Sequence, residues 1–200
     1  MLKKIVLISL MGLSVSAVAG PWQVKLGGSV VDPTDSTNVA GVGKVEATRE
    51  GAITPSVEYF FNDNVSVEVL LAAPINHGVE VAGVKSLEIK QLPPVITAKY
   101  HLINSSPFTP YVGVGAVAFI PWDEDEKGLL TGTDVSVKES FGFAGQIGVN
   151  FKPADAKNWG VFLDARYAQV SPEVKVKGTD IKFDLDINPL VYTAGYSYRF

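Results

Sequence analysis

Hydrophobic and polar positions alternate with a period of two over residues 190–200. One parity carries the apolar and aromatic side chains, Leu190, Tyr192, Ala194, Tyr196, Tyr198 and Phe200. The other parity carries Val191, Thr193, Gly195, Ser197 and Arg199. This period predicts a β-strand with one apolar face. An exposed aromatic edge of this kind invites aggregation in a soluble protein, whereas a membrane barrel places such aromatics at the membrane–water boundary.

The same alternation recurs along the chain and predicts eight antiparallel strands. They cover residues 22–31, 52–61, 64–71, 92–103, 108–120, 140–151, 158–170 and 190–200. The connections after the second, fourth and sixth strands are short. The long connections, which we expect to be loops, are residues 32–51, 73–91, 121–139 and 171–188. Short periplasmic turns that alternate with long extracellular loops are typical of outer-membrane barrels.

The polarity of the two strand faces separates a membrane barrel from a soluble one. A lipocalin-like barrel also has eight strands, but its apolar side chains point inward. Here the large aromatics share a face with the aliphatic side chains, and charges gather on the other face. In the fifth strand both parities are apolar or Gly, and we assign Val112, Val114 and Ala116 to the outer face. We therefore expect an all-β transmembrane barrel with a polar lumen.

The N-terminal segment has the pattern of a secretory signal. Lys3 and Lys4 precede an apolar run that ends in an A-x-A sequence at residues 17–19. The run is too short and too rich in Ser and Gly to be a good membrane-spanning helix. We expect cleavage after Ala19, which leaves residues 20–200 as one barrel domain; a retained N-terminal anchor is the alternative.

Composition excludes several function classes. The chain has no Cys, which excludes disulfides, a lipid-modified cysteine and thiol chemistry. Its formal net charge of −4 becomes −6 when Lys3 and Lys4 leave with the signal, so nucleic acid is not expected as a partner. His77 and His101 are expected on opposite sides of the membrane, so we expect no metal site and no cofactor. No nucleophile motif accompanies His77, and enzyme activity is not expected.

Inward-facing charges form the first candidate site. The lumen charge network is expected to comprise Glu58, Glu68, Lys99, Asp164, Arg166 and Arg199. Lys25 also faces inward. Glu68 and Lys99 each lie about four residues above a short turn, on neighbouring strands, so they are expected to pair. We expect a polar plug low in the barrel below a more apolar vestibule. The alternative is that the charges only satisfy one another and hold the barrel shape.

Motifs spread along the chain resemble the OmpW family of small outer-membrane proteins. They are WQVKLG at 22–27, TP at 54–55, YFFNDN at 59–64, VEVLLAAP at 67–74, LPP at 92–94, PYVGVG at 110–115, GQIG at 145–148, DARY at 164–167 and YSYRF at 196–200. They occur in order, whereas residues 32–50 and 121–138 carry little of the resemblance. The resemblance implies a barrel that helps small, mostly hydrophobic molecules cross the outer membrane. It also implies relatives that serve as receptors for bacteriocins or phage.

The width of the barrel limits the mechanism. An eight-stranded barrel is nearly filled by its own side chains, which excludes a wide aqueous pore. Three mechanisms remain: a narrow or gated passage, lateral exit through the wall, or no transport. For an apolar solute, we expect entry at the extracellular mouth and exit sideways. The candidates for a hydrophobic mouth are Leu70, Leu92, Val95, Phe119 and Phe162. Pro93 and Pro94 are candidates for a lateral opening because proline removes a ladder hydrogen bond; the alternative is a simple strand start.

Three function classes remain open: a conduit for small hydrophobic molecules, a surface receptor or adhesion barrel, and a structural envelope protein. The expected partners are outer-membrane lipid, lipopolysaccharide and the barrel-assembly machinery. Tyr196, Tyr198 and Phe200 resemble the C-terminal signal that this machinery recognises. The acidic run at 123–126 could bind divalent cations near lipopolysaccharide, although a solvated loop is the commoner role of such a run.

Overall fold

The computed structural model describes residues 20–72 and 75–200. Within these ranges the chain forms fifteen β-strands and a three-residue 3-10 helix, Gly128–Leu130. The strands are β1 (Trp22–Asp32), β2 (Ser36–Val39), β3 (Gly43–Ala47), β4 (Glu50–Phe60), β5 (Val65–Leu70), β6 (Ile75–Val81), β7 (Val84–Leu92), β8 (Val95–His101), β9 (Phe108–Glu126), β10 (Val135–Val137), β11 (Ser140–Phe151), β12 (Trp159–Ala168), β13 (Glu173–Val176), β14 (Lys182–Asp184) and β15 (Leu190–Arg199). No helix in the described ranges is long and apolar enough to cross a membrane. The predicted signal peptide, residues 1–19, lies outside the described residues.

Eight of the described strands close into an antiparallel barrel, which confirms the fold predicted from the sequence. Their order around the barrel is β1, β4, β5, β8, β9, β11, β12 and β15. β15 pairs with β1 from Gln23↔Arg199 to Asp32↔Leu190 and so completes the circle. The turns after β4, β8 and β11 are short, and by the usual orientation of such barrels they mark the periplasmic end.

Alternating burial along the barrel strands confirms the predicted facing. Every second residue of β1 is buried, from Gln23 to Val31, and the residues between them are exposed. Val112 and Val114 of β9 face outward, and Tyr111 faces inward. The outer surface is strongly apolar. Because a soluble barrel buries its large apolar side chains, the lipocalin-like alternative is wrong.

Aromatic pairs gather on the outer surface near the short turns. The ring centroids of Trp22 and Tyr59 lie 4.8 Å apart, and those of Tyr198 and Phe200 lie 5.1 Å apart. Aromatic girdles of this kind flank the apolar band of outer-membrane barrels, where their amphipathic rings contact the lipid headgroups. The C-terminal residues therefore form part of the barrel wall at its membrane boundary.

The four long connections, whose order the sequence leaves open, contain further β-strands. β2, β3, β6 and β7 form a sheet that joins β9 above the membrane-spanning wall, and β10, β13 and β14 form a second, three-stranded sheet. The β6–β7 hairpin turns at Ala82 and Gly83, whose φ angles of 52° and 79° are left-handed. Such angles match the primed turns that suit the twist of a hairpin.

Two of the predicted strand boundaries also change. The fifth predicted strand, residues 108–120, continues as β9 to Glu126, because its extension pairs with β7. The fourth predicted strand starts at Val95 rather than at residue 92, since Leu92 ends β7 and the two prolines separate β7 from β8. The barrel therefore continues into an ordered extracellular extension.

An apolar core fills the extracellular extension and the upper part of the barrel. It packs aliphatic side chains from the extra strands against the upper barrel strands. Leu87 and Ile89 of β7 are buried, as are Val135 of β10 and Leu185 after β14. This core occupies the part of the lumen where the sequence predicts a more apolar vestibule.

Candidate functional site

A cluster of charged side chains crosses the barrel interior. We call Lys25, Glu58, Glu68, Lys99, Asp164 and Arg166 the charge cluster. Lys25 Nζ lies 2.6 Å from Glu58 Oε2 and 3.4 Å from Glu68 Oε1. Lys99 Nζ lies 3.1 Å from Glu58 Oε1 and 3.4 Å from Glu68 Oε2, so the expected Glu68–Lys99 pair is present. Two ammonium groups thus bridge two buried carboxylates.

Hydroxyl and imidazole groups complete the shell of both carboxylates. Ser66 Oγ donates to Glu58 Oε1 at 2.6 Å, and His101 Nε2 lies 3.1 Å from the same oxygen. Ser56 Oγ donates to Glu68 Oε1 at 2.7 Å. Because an unpaired carboxylate in a low-dielectric interior is strongly destabilising, these contacts fix both acids in place.

The remaining members of the charge cluster come from the opposite wall. Arg166 Nη2 donates to Glu68 Oε2 at 3.3 Å. Asp164 Oδ2 accepts from Gln146 Nε2 at 3.0 Å and from Tyr111 OH at 3.2 Å. The cluster contains three cations and three carboxylates, so its formal charges cancel when all are ionised.

Aromatic packing and small residues shape the space around the charge cluster. Lys99 Nζ lies 3.9 Å from the centroid of the Tyr111 ring. A Cβ added to Gly148 would lie 2.5 Å from the Tyr111 ring and 2.7 Å from Asp164 Cβ. Gly148 is therefore needed for the Tyr111 ring to reach Asp164.

Arg199 does not belong to the charge cluster, contrary to the sequence prediction. Its guanidinium lies 4.1 Å from the centroid of the Phe60 ring, and its Nε donates to Gly20 O at 3.4 Å. It is the last residue of the closing strand β15, and its side chain lies at the periplasmic opening. The alternation along β15 predicted correctly that Arg199 points inward, but it did not predict the height of Arg199 along the barrel axis.

Four contributors to the site were missing from the predicted network: Lys25, His101, Gln146 and Tyr111. Parity placed Lys25, His101, Gln146 and Tyr111 inside the barrel. A signal that could have found them is their position on neighbouring strands at the height of Glu58 and Glu68. The alternation along a strand gives the direction of each side chain, but it does not show which side chains of the other, tilted strands it can contact.

A small cavity, which we call the upper cavity, lies above the charge cluster. Its volume is about 60 Å³. Its lining is mainly aliphatic and includes Val31, Thr54, Leu70, Ala72, Gln91, Pro93, Val95, Val117, Phe119, Arg166, Ala168, Val170, Ile187, Pro189 and Val191. Arg166 both lines this cavity and binds Glu68, so the charge cluster forms the cavity floor.

The structure brings three of the five predicted mouth residues to the upper cavity. Leu70, Val95 and Phe119 line it. Leu92 instead pairs with Ile120 at the end of β7 and is half-buried. The placement of Phe162 at the mouth is wrong, because its ring lies 5.1 Å from Lys25 Nζ, beside the charge cluster. Phe162 lies only three residues above the periplasmic start of β12. The alternation along the strand predicts that Phe162 faces inward, but it does not predict this height.

The proline pair lies at a seam in the barrel wall. On one side of it, the β5–β8 ladder ends at Leu70↔Val95 and the β6–β7 ladder begins at Ile75↔Gln91. On the other side, Pro94 O accepts from Ala118 N at 3.0 Å. Pro93 lines the upper cavity. Among the described residues, which do not include 73 and 74, the wall beside the cavity is therefore attached to β9 and lies between two ladders on its other side.

A second cavity, which we call the lower cavity, opens at the short-turn end of the barrel. Its volume is about 420 Å³. It is lined by polar and aromatic residues, among them Gln23, Phe60, Asp63, His101, Asn150, Lys152, Lys157, Trp159 and Arg199. His101 both lines this cavity and contacts Glu58. The charge cluster thus stands between the upper and lower cavities.

The acidic run at 123–126 has contacts within the protein. Glu126 Oε1 accepts from Val135 N at 2.8 Å, and Glu124 Oε1 accepts from Val137 N at 3.3 Å. Lys127 Nζ lies 3.3 Å from Asp125 Oδ2. These acids attach β10 to the extension of β9. Among the described residues, no group of three or more His, Cys, Asp or Glu side chains is arranged to hold a metal ion, and the His77 side chain lies outside that description.

Comparisons with known proteins agree with this architecture. The family model described as the OmpW family matches residues 18–200. Outer membrane protein W of Vibrio cholerae is 32% identical over 197 residues, which cover 90% of this chain and 89% of that protein. The crystal structure of OprG from Pseudomonas aeruginosa has a TM-score of 0.80 at 27% identity and covers 91% of this chain and 96% of that one. The solution structure of E. coli outer membrane protein W has a TM-score of 0.63 at 26% identity and covers 92% of this chain and 100% of that one.

Proposed function

Since the chain belongs to the OmpW family of integral outer-membrane barrels, we propose that it lets small hydrophobic molecules cross the outer membrane by a lateral route. The supporting observation is the apolar upper cavity above the charge cluster. A solute that descends through the apolar extracellular core reaches a floor of paired charges. An apolar group gains no favourable free energy when it moves among paired, hydrogen-bonded charges. The favourable exit is therefore sideways into lipid.

The seam beside Pro93 supplies that exit. Thr54 and Ala72, which also line the upper cavity, lie on either side of the point where the β4–β5 ladder ends. That ladder stops at Ser56↔Leu70, and one further hydrogen bond joins Leu71 N to Pro55 O at 2.9 Å. Above this bond, as far as residues 20–72 and 75–200 show, separation of the wall breaks fewer ladder hydrogen bonds than it would within a continuous sheet.

The cavity must widen during passage. Its volume of about 60 Å³ is far below that of a typical small-molecule pocket, roughly 300–1,000 Å³. Side-chain movement in the apolar core and separation at the seam provide the extra space. The charge cluster stays closed, so polar solutes and ions do not follow the same route.

Uptake by liposomes tests the proposal. Refolded protein should accelerate entry of a small apolar solute, compared with empty liposomes, and should not accelerate entry of a polar solute of equal size. Ala168→Phe fills the upper cavity from β12 and should abolish the acceleration. Ala165→Phe adds the same ring to the outer face of the same strand and should leave uptake unchanged.

Folding is checked in each sample by circular dichroism and by heat-dependent mobility in gels. Equal uptake by the Ala168→Phe and Ala165→Phe proteins would show that the upper cavity is not on the route. Acceleration of apolar and polar solutes alike would indicate a leak through the lumen.

The ordered extracellular extension favours a second candidate function, a surface receptor. Its strands and buried core present a fixed surface rather than mobile loops, and a fixed surface loses less entropy on binding. A receptor role predicts capture of a bacteriocin or phage by protein-bearing liposomes without accelerated uptake. Deletion of β13 and β14 would then abolish capture while the barrel remains folded.

The C-terminal residues are proposed to direct assembly. Tyr196 and Tyr198 lie on the closing strand and Phe200 directly follows it, at the end of the barrel that faces the periplasm. Substitution of Phe200 by Ala should slow insertion by the barrel-assembly machinery more than it lowers the stability of the inserted barrel. Equal slowing in lipid vesicles without the machinery would argue for a general effect on folding.

A further inference from the structure

The lower cavity is a chamber separate from the proposed apolar route. It is bounded by Asp63 in the turn after β4 and by Lys152 and Lys157 after β11. His101 bounds it on the side of the charge cluster. It opens where the short turns lie, on the periplasmic side. The charge cluster divides it from the upper cavity, so a ligand of one chamber has no straight path to the other.

The charges around the lower cavity do not cancel. Lys152, Lys157 and Arg199 face one carboxylate, that of Asp63, which leaves a formal excess of two positive charges. Within residues 20–72 and 75–200, neither lysine forms an ion pair, whereas every lysine of the charge cluster does. This excess occurs in a protein whose acidic residues outnumber its basic ones, 21 against 17.

Neutral groups of the lower cavity add hydrogen-bonding capacity and an apolar wall. Gln23 is 8% exposed, and its Nε2 has no hydrogen-bond partner in the described part of the chain. Buried amides normally have a hydrogen-bond partner, and a bound molecule can supply it. Phe60 and Trp159 supply aromatic surface beside these groups. The chamber therefore combines cations, a free donor and ring faces.

We propose that the lower cavity binds a small organic phosphate from the periplasmic side. A dianionic phosphate matches the excess of two positive charges, and charge-assisted hydrogen bonds from lysine and arginine suit its oxygens. The apolar part of the ligand packs against Phe60 and Trp159. A cavity of about 420 Å³ holds a phosphate with a body of the size of one aromatic ring. This inference does not rest on the proposed transport of apolar solutes.

Calorimetric titration of the refolded protein in micelles of a neutral detergent tests the site. Phenyl phosphate is the probe, and phenol and inorganic phosphate serve as its two halves. We expect saturable binding of phenyl phosphate, weaker binding of inorganic phosphate and no binding of phenol. Lys152→Gln/Lys157→Gln should weaken binding about tenfold, since it removes two charge-assisted contacts.

The matched control is Lys44→Gln/Lys175→Gln, which removes two lysines from the extracellular strands β3 and β13. It changes the net charge equally and should leave the affinity unchanged. No saturable binding of phenyl phosphate would overturn the proposal. Equal weakening in both double variants would also overturn it, because it would reduce the effect to overall charge.

The phosphate has two possible sources, a free periplasmic compound and a phospholipid headgroup of the inner leaflet. Nanodiscs of neutral lipid and of phosphatidylglycerol separate them. Weaker binding of phenyl phosphate in phosphatidylglycerol supports occupation of the site by a lipid headgroup. Equal binding in both nanodiscs supports a site for free organic phosphates.

Discussion

Lys25 and Glu58 form a 2.6 Å ion pair although their backbones are not register partners. Lys25 is paired with Ser56, and Glu58 is paired with Gln23. The lysine side chain therefore reaches diagonally along the barrel toward the periplasmic end, where Lys99 meets the same carboxylate from β8. This diagonal contact places two cations at one acid and makes Glu58 a central member of the charge cluster.

Loss of the Glu58 charge should strongly destabilise the barrel. Glu58→Gln leaves Lys25 and Lys99 with one carboxylate fewer between them in a buried site. Removal of one partner of a buried ion pair typically costs about 3–5 kcal/mol of unfolding free energy. Equilibrium unfolding by urea in lipid vesicles measures this change.

The control for that measurement is Glu46→Gln, which removes a carboxylate paired with Lys44 at the extracellular surface. It should change the unfolding free energy by less than about 1 kcal/mol, as exposed ion pairs contribute little. Equal stability of the Glu58→Gln and Glu46→Gln proteins would mean that the buried charges are not mutually dependent.

Glu68 and Lys99 should limit ion flow through the lumen. Glu68→Ala/Lys99→Ala removes one carboxylate and one ammonium group, so the net charge is conserved while side-chain volume leaves the cluster. We expect a higher single-channel conductance in planar bilayers. Glu46→Ala/Lys44→Ala removes the same two charges from an exposed pair and should not change the conductance. An unchanged conductance in the buried double variant would contradict the role of the charge cluster as a plug.

The barrel strands and their facing could be predicted because one side of each strand meets lipid and the other meets the lumen. In β12, for example, Leu163 is exposed while Asp164 and Arg166 are buried, as period two requires. The heights of Phe162 and Arg199 could not be read in this way. Strand tilt, which displaces equivalent positions on neighbouring strands, is a property of the closed barrel rather than of any one segment.

The extracellular strands were missed for a different reason. Residues 79–91 do alternate, and Val79, Val81, Leu87 and Ile89 are all buried. The alternation alone leaves open whether this long connection is ordered. The strands form because their apolar faces share one core with the upper barrel, which is a tertiary effect that no single connection reveals.

Gly148 should tolerate no side chain. Gly148→Ala places a methyl group against the Tyr111 ring and Asp164, and we expect a loss of about 1–3 kcal/mol of unfolding free energy through overpacking. Gly145→Ala is the matched change on the outer face of the same strand, where an added Cβ meets no atom within 4 Å. It should be neutral or slightly stabilising in the same urea experiment. Comparable losses in both variants would contradict the close packing of Tyr111.

Glu88 in the extracellular extension should stay ionised in mild acid. Lys127 and Lys85 donate to its carboxylate at 2.7 and 2.6 Å and lower the pKa of Glu88 to about 2. Because the folded pKa lies below the unfolded value of about 4.3, its stabilising contribution is present above that pH and is lost as the pH falls toward 2.

Carbon NMR titration of the Glu88 carboxylate measures the pKa of this group. Lys127→Met should raise the pKa of Glu88, since it removes the hydrogen bond that lowers this pKa most. Lys182→Met removes a lysine that binds Glu173 instead and should leave Glu88 unchanged. Titration of Glu88 near its ordinary value in the unsubstituted protein would show that these ion pairs do not persist in solution.

A disulfide across the seam tests the lateral route most directly. The chain has no Cys, and continuation of the Ser56↔Leu70 register places Thr54 opposite Ala72, so Thr54→Cys/Ala72→Cys can join the two sides. Val57→Cys/Val69→Cys joins an outward-facing pair within the same ladder and is the control. We predict that oxidation of the seam variant stops the uptake of an apolar solute by liposomes, that reduction restores it, and that the control variant is insensitive to both. Undiminished uptake through the oxidised seam would contradict the lateral route.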